Sequence, residues 1–88
     1  MVEREVVLVG KHGLHARPAA RFVKLANGFD SDVELTKGDM TVDGKSIMGV
    51  MMLAAECGST LTLRVRGRDE ETAAAALAEF LTSERIED

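Results

Sequence analysis

Val2 to Val9 is rich in β-branched residues and sets Val2, Val6 and Leu8 on one face, a period of two that reads as a strand. Gly10 and Gly13 bracket a loop. The period then lengthens. Ala19, Phe22, Val23 and Ala26 recur at i, i+3, i+4 and i+7, which predicts a helix from about Ala16 to Asn27 with Gly28 as its stop. Pro18 fits that helix, because the N–H it lacks would have no intrahelical partner in the first turn. Val33 and Leu35, then Met40 and Val42, alternate with polar neighbours and give two short strands around Lys37-Gly38-Asp39, with Asp43-Gly44 as a turn. A second helix begins after Ser46, a good N-cap residue, runs to about Ala55 and is closed off by Gly58. Thr60 to Arg66 alternates strictly through Leu61, Leu63 and Val65. Asp69 is the expected cap of a last helix, with Glu70 and Glu71 in its first turn, where the helix dipole favours negative charge. Ala73, Leu77, Phe80 and Leu81 form its apolar stripe.

The predicted order is β-α-β-β-α-β-α. Strands with one apolar face suggest a mainly antiparallel, four-stranded sheet with three helices on one face, an α+β open-faced sandwich. No repeat, linker or low-complexity segment divides the chain, so residues 1–88 are expected to form a single domain. A chain of 88 residues buries about 60–65% of its unfolded surface. That supports one core but no deep, enclosed active site, so any chemistry belongs on the surface and borrows a partner's groups.

Charge changes the picture once it is resolved along the chain. The net charge of −4 disfavours nonspecific nucleic-acid binding. Yet residues 1–28 hold five basic and two acidic side chains, net +3, while the remainder holds six basic and thirteen acidic, net −7. No acid lies between Lys11 and Lys24. Whatever docks there is expected to be anionic. The single Cys57 excludes an internal disulfide and fits a reducing compartment. No signal-peptide pattern and no apolar run of membrane-spanning length is present, so a cytoplasmic monomer without membrane contact is expected.

The informative stretch is Gly13-Leu14-His15-Ala16-Arg17-Pro18-Ala19-Ala20. His15 falls at the start of the first helix, where unpaired N–H groups and the positive end of the dipole favour an anion. Arg17 adds a guanidinium shaped for phosphate. Neutral imidazole is a nucleophile, and an ordinary histidine is mostly neutral at pH 7. Together these features suit a histidine that accepts a phosphoryl group covalently and passes it on. A surface histidine serving only as an N-cap is the plainer alternative.

Gly13-Leu14-His15-Ala16-Arg17-Pro18-Ala19 resembles the active-site signature of the HPr family, the histidine phosphocarriers of the bacterial sugar phosphotransferase system. Lys45-Ser46-Ile47-Met48-Gly49-Val50-Met51 resembles that family's regulatory segment. The resemblance implies that His15 takes phosphate on Nδ1 from phosphorylated Enzyme I, whose donor is phosphoenolpyruvate, and gives it to sugar-specific IIA domains. It implies that Arg17 steadies the phosphoryl group; the unpaired backbone N–H groups at the helix start, Ala16 and Arg17, are expected to hold it as well. Ser46, by itself an N-cap, becomes by the same resemblance a site for HPr kinase/phosphorylase. No cofactor is implied. Ala54 and Ala55 stand where related proteins often carry a glycine, so the end of the second helix is expected to differ locally.

Around Ser46 the second helix is apolar nearly all round, more than a one-layer sheet can cover. An exposed Met-rich patch marks a partner surface. Ile47, Met48 and Met51 are therefore expected to dock partners beside Arg17, Arg21 and Lys24, an apolar contact rimmed by positive charge; a tightly wedged core helix is the alternative. His12-x-x-His15 lacks a nearby cysteine or carboxylate, so no metal site is expected, and His12 is instead a candidate modulator of transfer. Cys57 is expected to be a half-buried apolar filler. Three rival functions remain. One is a regulatory module of the same fold acting through phosphorylated Ser46 on a transcription regulator of catabolite control, which could dispense with the histidine present here at position 15. Another is a nitrogen-branch paralogue, which the segment from Lys45 to Met51 fits less well. A small hydrolase using His15 as base lacks a positioned carboxylate or nucleophile.

Overall fold

The structure, a computed structural model, describes residues 1–9 and 13–83. Strands β1 (Val2–Val7), β2 (Asp32–Lys37), β3 (Met40–Asp43) and β4 (Thr60–Arg66) alternate with helices α1 (Ala16–Ala26), α2 (Ile47–Met52) and α3 (Glu70–Leu81) in the predicted order. The sheet runs β1-β4-β2-β3, and every pairing is antiparallel. Register explains the alternation. Val6 pairs with Leu61, Val33 with Val65 and Leu35 with Leu63, so these side chains share the face covered by helices. The opposite face carries Glu3, Glu34, Thr36, Thr62 and Arg64, with Arg64 Nε on Glu3 at 2.9 Å. Period-two patterning therefore places the core on one side only.

Helix α1 buries Ala19, Phe22 and Ala26, and α3 buries Ala73, Ala74, Leu77 and Leu81. The Phe22 ring meets Phe80 at a centroid distance of 6.0 Å, joining the two helices over the sheet. Leu8 is fully buried although β1 ends at Val7, two residues earlier than the pattern predicts. Its N–H donates to Ser59 O and its carbonyl accepts from Gly58, so the chain follows the loop before β4 and not the ladder. Helix α1 ends one residue early, at Ala26.

Helix α2 departs more. It stops at Met52 instead of reaching Ala55, because Ala54 takes a left-handed φ of +50°. Met40, which shares a face with Val42 by register, is 44% exposed at the start of the edge strand β3. Cys57 is exposed and not half-buried; its thiol points to the carbonyl of Val9 at 3.5 Å.

Asp69 does precede α3, but its side chain does not cap it. The carboxylate instead accepts from the Ser31 hydroxyl, from Asp30 N at 2.9 Å and from Ser31 N at 3.0 Å, holding the start of β2 to the start of α3. Gly67 N donates to Glu70 at 3.0 Å on the other side of the turn. The Ser31 hydroxyl, followed by the Asp30 N–H, keeps the Asp69 carboxyl below the ordinary aspartate range. The folded state therefore binds this proton more weakly than the unfolded chain. The resulting stability is complete above the unfolded pKa of about 3.9 and disappears as pH falls through the lower folded value. Urea unfolding between about pH 6 and about pH 2 should show a shallower acid loss for Asp69→Asn than for the parent chain. Equal slopes would remove Asp69 from the acid response.

Candidate phosphoryl site and docking face

The approach to His15 is built by close backbone contact. Gly13 adopts φ +72° and lies so near the next loop that a Cβ there would sit 2.3 Å from Ala55 O. Leu14 follows, with its side chain buried and its N–H donating to Ala55 O at 2.9 Å. These two residues anchor the loop, and His15 emerges from it exposed. His15 is the N-cap of α1, with extended backbone (φ −90°, ψ −165°) and no side-chain capping bond. Its carbonyl accepts from Ala19 N at 2.8 Å.

Beyond His15 the helix start is open and free of acid. Ala16 and Arg17 are exposed, and their N–H groups have no intrahelical acceptor by position. Pro18, buried, contributes no N–H, so its ring packs inward and leaves the two preceding donors at the open end. The first turn carries no carboxylate and the last turn carries Lys24. His15, Ala16 and Arg17 thus form one contiguous exposed edge that combines backbone donors, a guanidinium and an imidazole.

Arg17, Arg21 and Lys24 are exposed at i, i+4 and i+7, one row along the outer side of α1. Beside it lies α2. Its only buried residue is Val50, while Ile47 is 42%, Met48 68% and Met51 42% exposed. The patch is open and α2 is not a wedged core helix. Ser46 caps α2, its hydroxyl accepting from Gly49 N at 3.1 Å.

The direction of α2 follows from its ties. Asn27, at the C-terminal end of α1, donates through Nδ2 to Lys45 O at 3.2 Å, and Lys45 Nζ returns to Phe29 O at 2.7 Å. At the opposite end, Ala55 holds Leu14 beside the start of α1. The two helices are therefore antiparallel neighbours. Helix α1 is about 16 Å long, so Ser46 and His15 stand at opposite ends of the shared face.

Met52, 63% exposed on the same helix, joins the patch without having been among the expected docking residues. Asn27, Lys45 and Lys37 are likewise unforeseen as supports of α2. A polar side chain that bonds a distant carbonyl leaves no local pattern, whereas the apolar excess of α2 already pointed to Met52. His12, the candidate modulator, lies outside the described residues. Among the described residues no group of three His, Cys, Asp or Glu side chains converges as a metal site, and no helix is long and apolar enough to cross a membrane.

The family model described as "PTS HPr component phosphorylation site" matches residues 2–83. The chain is 46% identical to the phosphocarrier protein HPr of Cupriavidus necator over 83 residues, covering 94% of this chain and 93% of that protein. It is 49% identical over 84 residues to the HPr-like protein Crh of Halalkalibacterium halodurans, covering 96% of this chain and all of that one. The crystal structure of HPr-C-His from Thermoanaerobacter tengcongensis superposes with a TM-score of 0.93 at 41% identity, covering 100% of this chain and 99% of that one.

Proposed function

Since the chain belongs to the PTS HPr family of phosphocarriers, which act as carriers and not as autonomous enzymes, we propose that His15 is its phosphoryl acceptor within the sugar branch of the phosphotransferase system. Phosphorylated Enzyme I is the donor, and IIA domains of sugar permeases are the acceptors. The Nδ1 lone pair of His15 forms the new bond to phosphorus while the bond from phosphorus to its donor atom on Enzyme I breaks, that electron pair staying with the donor. In delivery His15 is the donor: an acceptor atom of the IIA domain bonds to phosphorus while the bond from phosphorus to Nδ1 breaks, its electron pair returning to the imidazole. Arg17 and the N–H groups of Ala16 and Arg17 hold the phosphoryl oxygens as charge shifts between the donor atom and the acceptor. Arg21, Lys24, Ile47, Met48 and Met51 receive the partner. The observation that carries this reading is the exposed His15 at an acid-free helix start beside a basic row and an open apolar helix.

Incubation with Enzyme I and labelled phosphoenolpyruvate tests it. Label on His15 that is labile in acid and stable in base is the expected result. A wild-type chain that takes no label would sink the carrier reading.

Similarity to Crh favours a second reading, a regulatory module in which phosphorylated Ser46 binds a catabolite control regulator. The two roles are compatible through the geometry of the shared face. A kinase such as HPr kinase/phosphorylase would place about −1.5 to −2 charge at the Ser46 end of the docking patch, away from His15. The effect is then repulsion of acidic partners and not refolding. Ser46→Asp keeps a good N-cap and adds the charge, so KM for Enzyme I should rise about tenfold with folding unchanged. Ser46→Ala loses a capping bond of about 1 kcal/mol and adds no charge, so its KM should stay near that of the parent. Equal KM values for Ser46→Asp and the parent would overturn inhibition by surface charge.

A further inference from the structure

Lys37 ends β2, and its ammonium reaches across to the end of α2. Nζ donates to Ala54 O at 3.1 Å and to Leu53 O at 3.4 Å. Ala54 is the only non-glycine residue with positive φ among the described residues. That conformation costs an L-residue about 1 kcal/mol or more, so something around it must hold it there. Three holds are visible: the ammonium on the carbonyls of Leu53 and Ala54, the buried side chains of Leu53 and Ala55, and the bond from Leu14 N to Ala55 O.

These contacts form one chain of direct bonds. Lys37 sets the Ala54 carbonyl, Ala54 sets the direction of Ala55, and Ala55 O receives Leu14, the residue before His15. Gly13 is pressed against the same carbonyl with no room for a side chain. A shift of Ala54 toward an ordinary helical or extended φ would move Ala55 O, and the His15 loop would have to follow it.

We propose that Lys37 is a positioning residue for His15, acting through the strained Ala54 turn and the Ala55 carbonyl. The proposal rests on His15 being the phosphoryl acceptor, but its first readout does not. In Lys37→Met, which keeps an apolar stem and loses the ammonium, the imidazole signals of His15 in NMR spectra shift, while amide signals of α3 stay in place. With phospho-Enzyme I as donor, kcat falls about tenfold and KM stays within about twofold, because the nucleophile is misplaced while the docking row is retained. Lys37→Arg, which can still donate to both carbonyls, restores the rate. Ala54→Gly added to Lys37→Met restores it as well, since glycine holds the turn without the ammonium. Unmoved His15 signals and an unchanged kcat in Lys37→Met would overturn the proposal. So would a loss of rate that neither Lys37→Arg nor Ala54→Gly repairs, which marks a general loss of fold. A wild-type chain that takes no phosphate refutes the acceptor role of His15 instead, and the NMR comparison then still decides whether Lys37 positions that side chain.

Discussion

Replacing His15 with alanine is expected to leave the fold intact and to reduce phosphoryl uptake from phospho-Enzyme I to background. The fold should survive because the imidazole is exposed and gives α1 no capping bond, so the change should alter stability by no more than about 0.5 kcal/mol. Uptake should vanish because the nucleophile itself is removed; the backbone donors and Arg17 can hold an anion but cannot form the bond. Arg17→Ala is the contrasting case. It removes one stabilising group from an exposed site and should slow transfer by about a hundredfold at most. Gel or mass detection of acid-labile phosphate after incubation with Enzyme I and phosphoenolpyruvate checks both. Undiminished acid-labile label on His15→Ala would place the acceptor elsewhere. Acid-stable label would point to a hydroxyl such as Ser46.

Gly13→Ala is expected to cost about 3 kcal/mol, made up of a left-handed φ forced on alanine and the lost bond between Leu14 and Ala55. In a chain of this size that lowers Tm by about 12–24 °C. The added Cβ would lie 2.3 Å from Ala55 O and 2.9 Å from Glu56 Cα, both backbone atoms that cannot rotate aside. Gly38→Ala serves as the internal comparison. Gly38 also has positive φ, +59°, but a Cβ at that position would meet nothing within 4 Å, so only the conformational cost of about 1 kcal/mol remains. Thermal unfolding of the two variants separates crowding from backbone preference, and equal Tm values would refute the close-approach argument. Transfer by Gly13→Ala should fall further than its stability alone accounts for, since relief of the clash moves the residue that carries His15.

Much of the fold was legible because its signals are local. Leu61, Leu63 and Val65 alternate, and they face the core. Ala19, Phe22 and Ala26 recur with helical spacing, and they are buried. The misreadings share a cause. Asp69 has the composition of an N-cap, yet Ser31 and the Asp30 N–H, remote in sequence, compete successfully for its carboxylate. The predicted extension of α2 to Ala55 follows helix-forming composition, and the turn at Ala54 answers to Lys37 and Leu14 instead. Cys57 looked apolar enough to be half-buried, but the loop that carries it leaves it at the surface.

From the amino-acid sequence alone came the order of elements, the buried face of each strand, the acid-free stretch around His15 and the excess of apolar residues after Ser46. Each is a property of neighbouring residues, and periodicity or local charge expresses it without reference to the rest of the chain. Only the tertiary structure decided that α2 lies antiparallel to α1, that His15 and Ser46 occupy opposite ends of one face, and that Lys37 and Ala55 stand behind the His15 loop. Those relations depend on hydrogen bonds between segments far apart in the chain, where a backbone carbonyl is the acceptor and its own side chain carries no record of the partner.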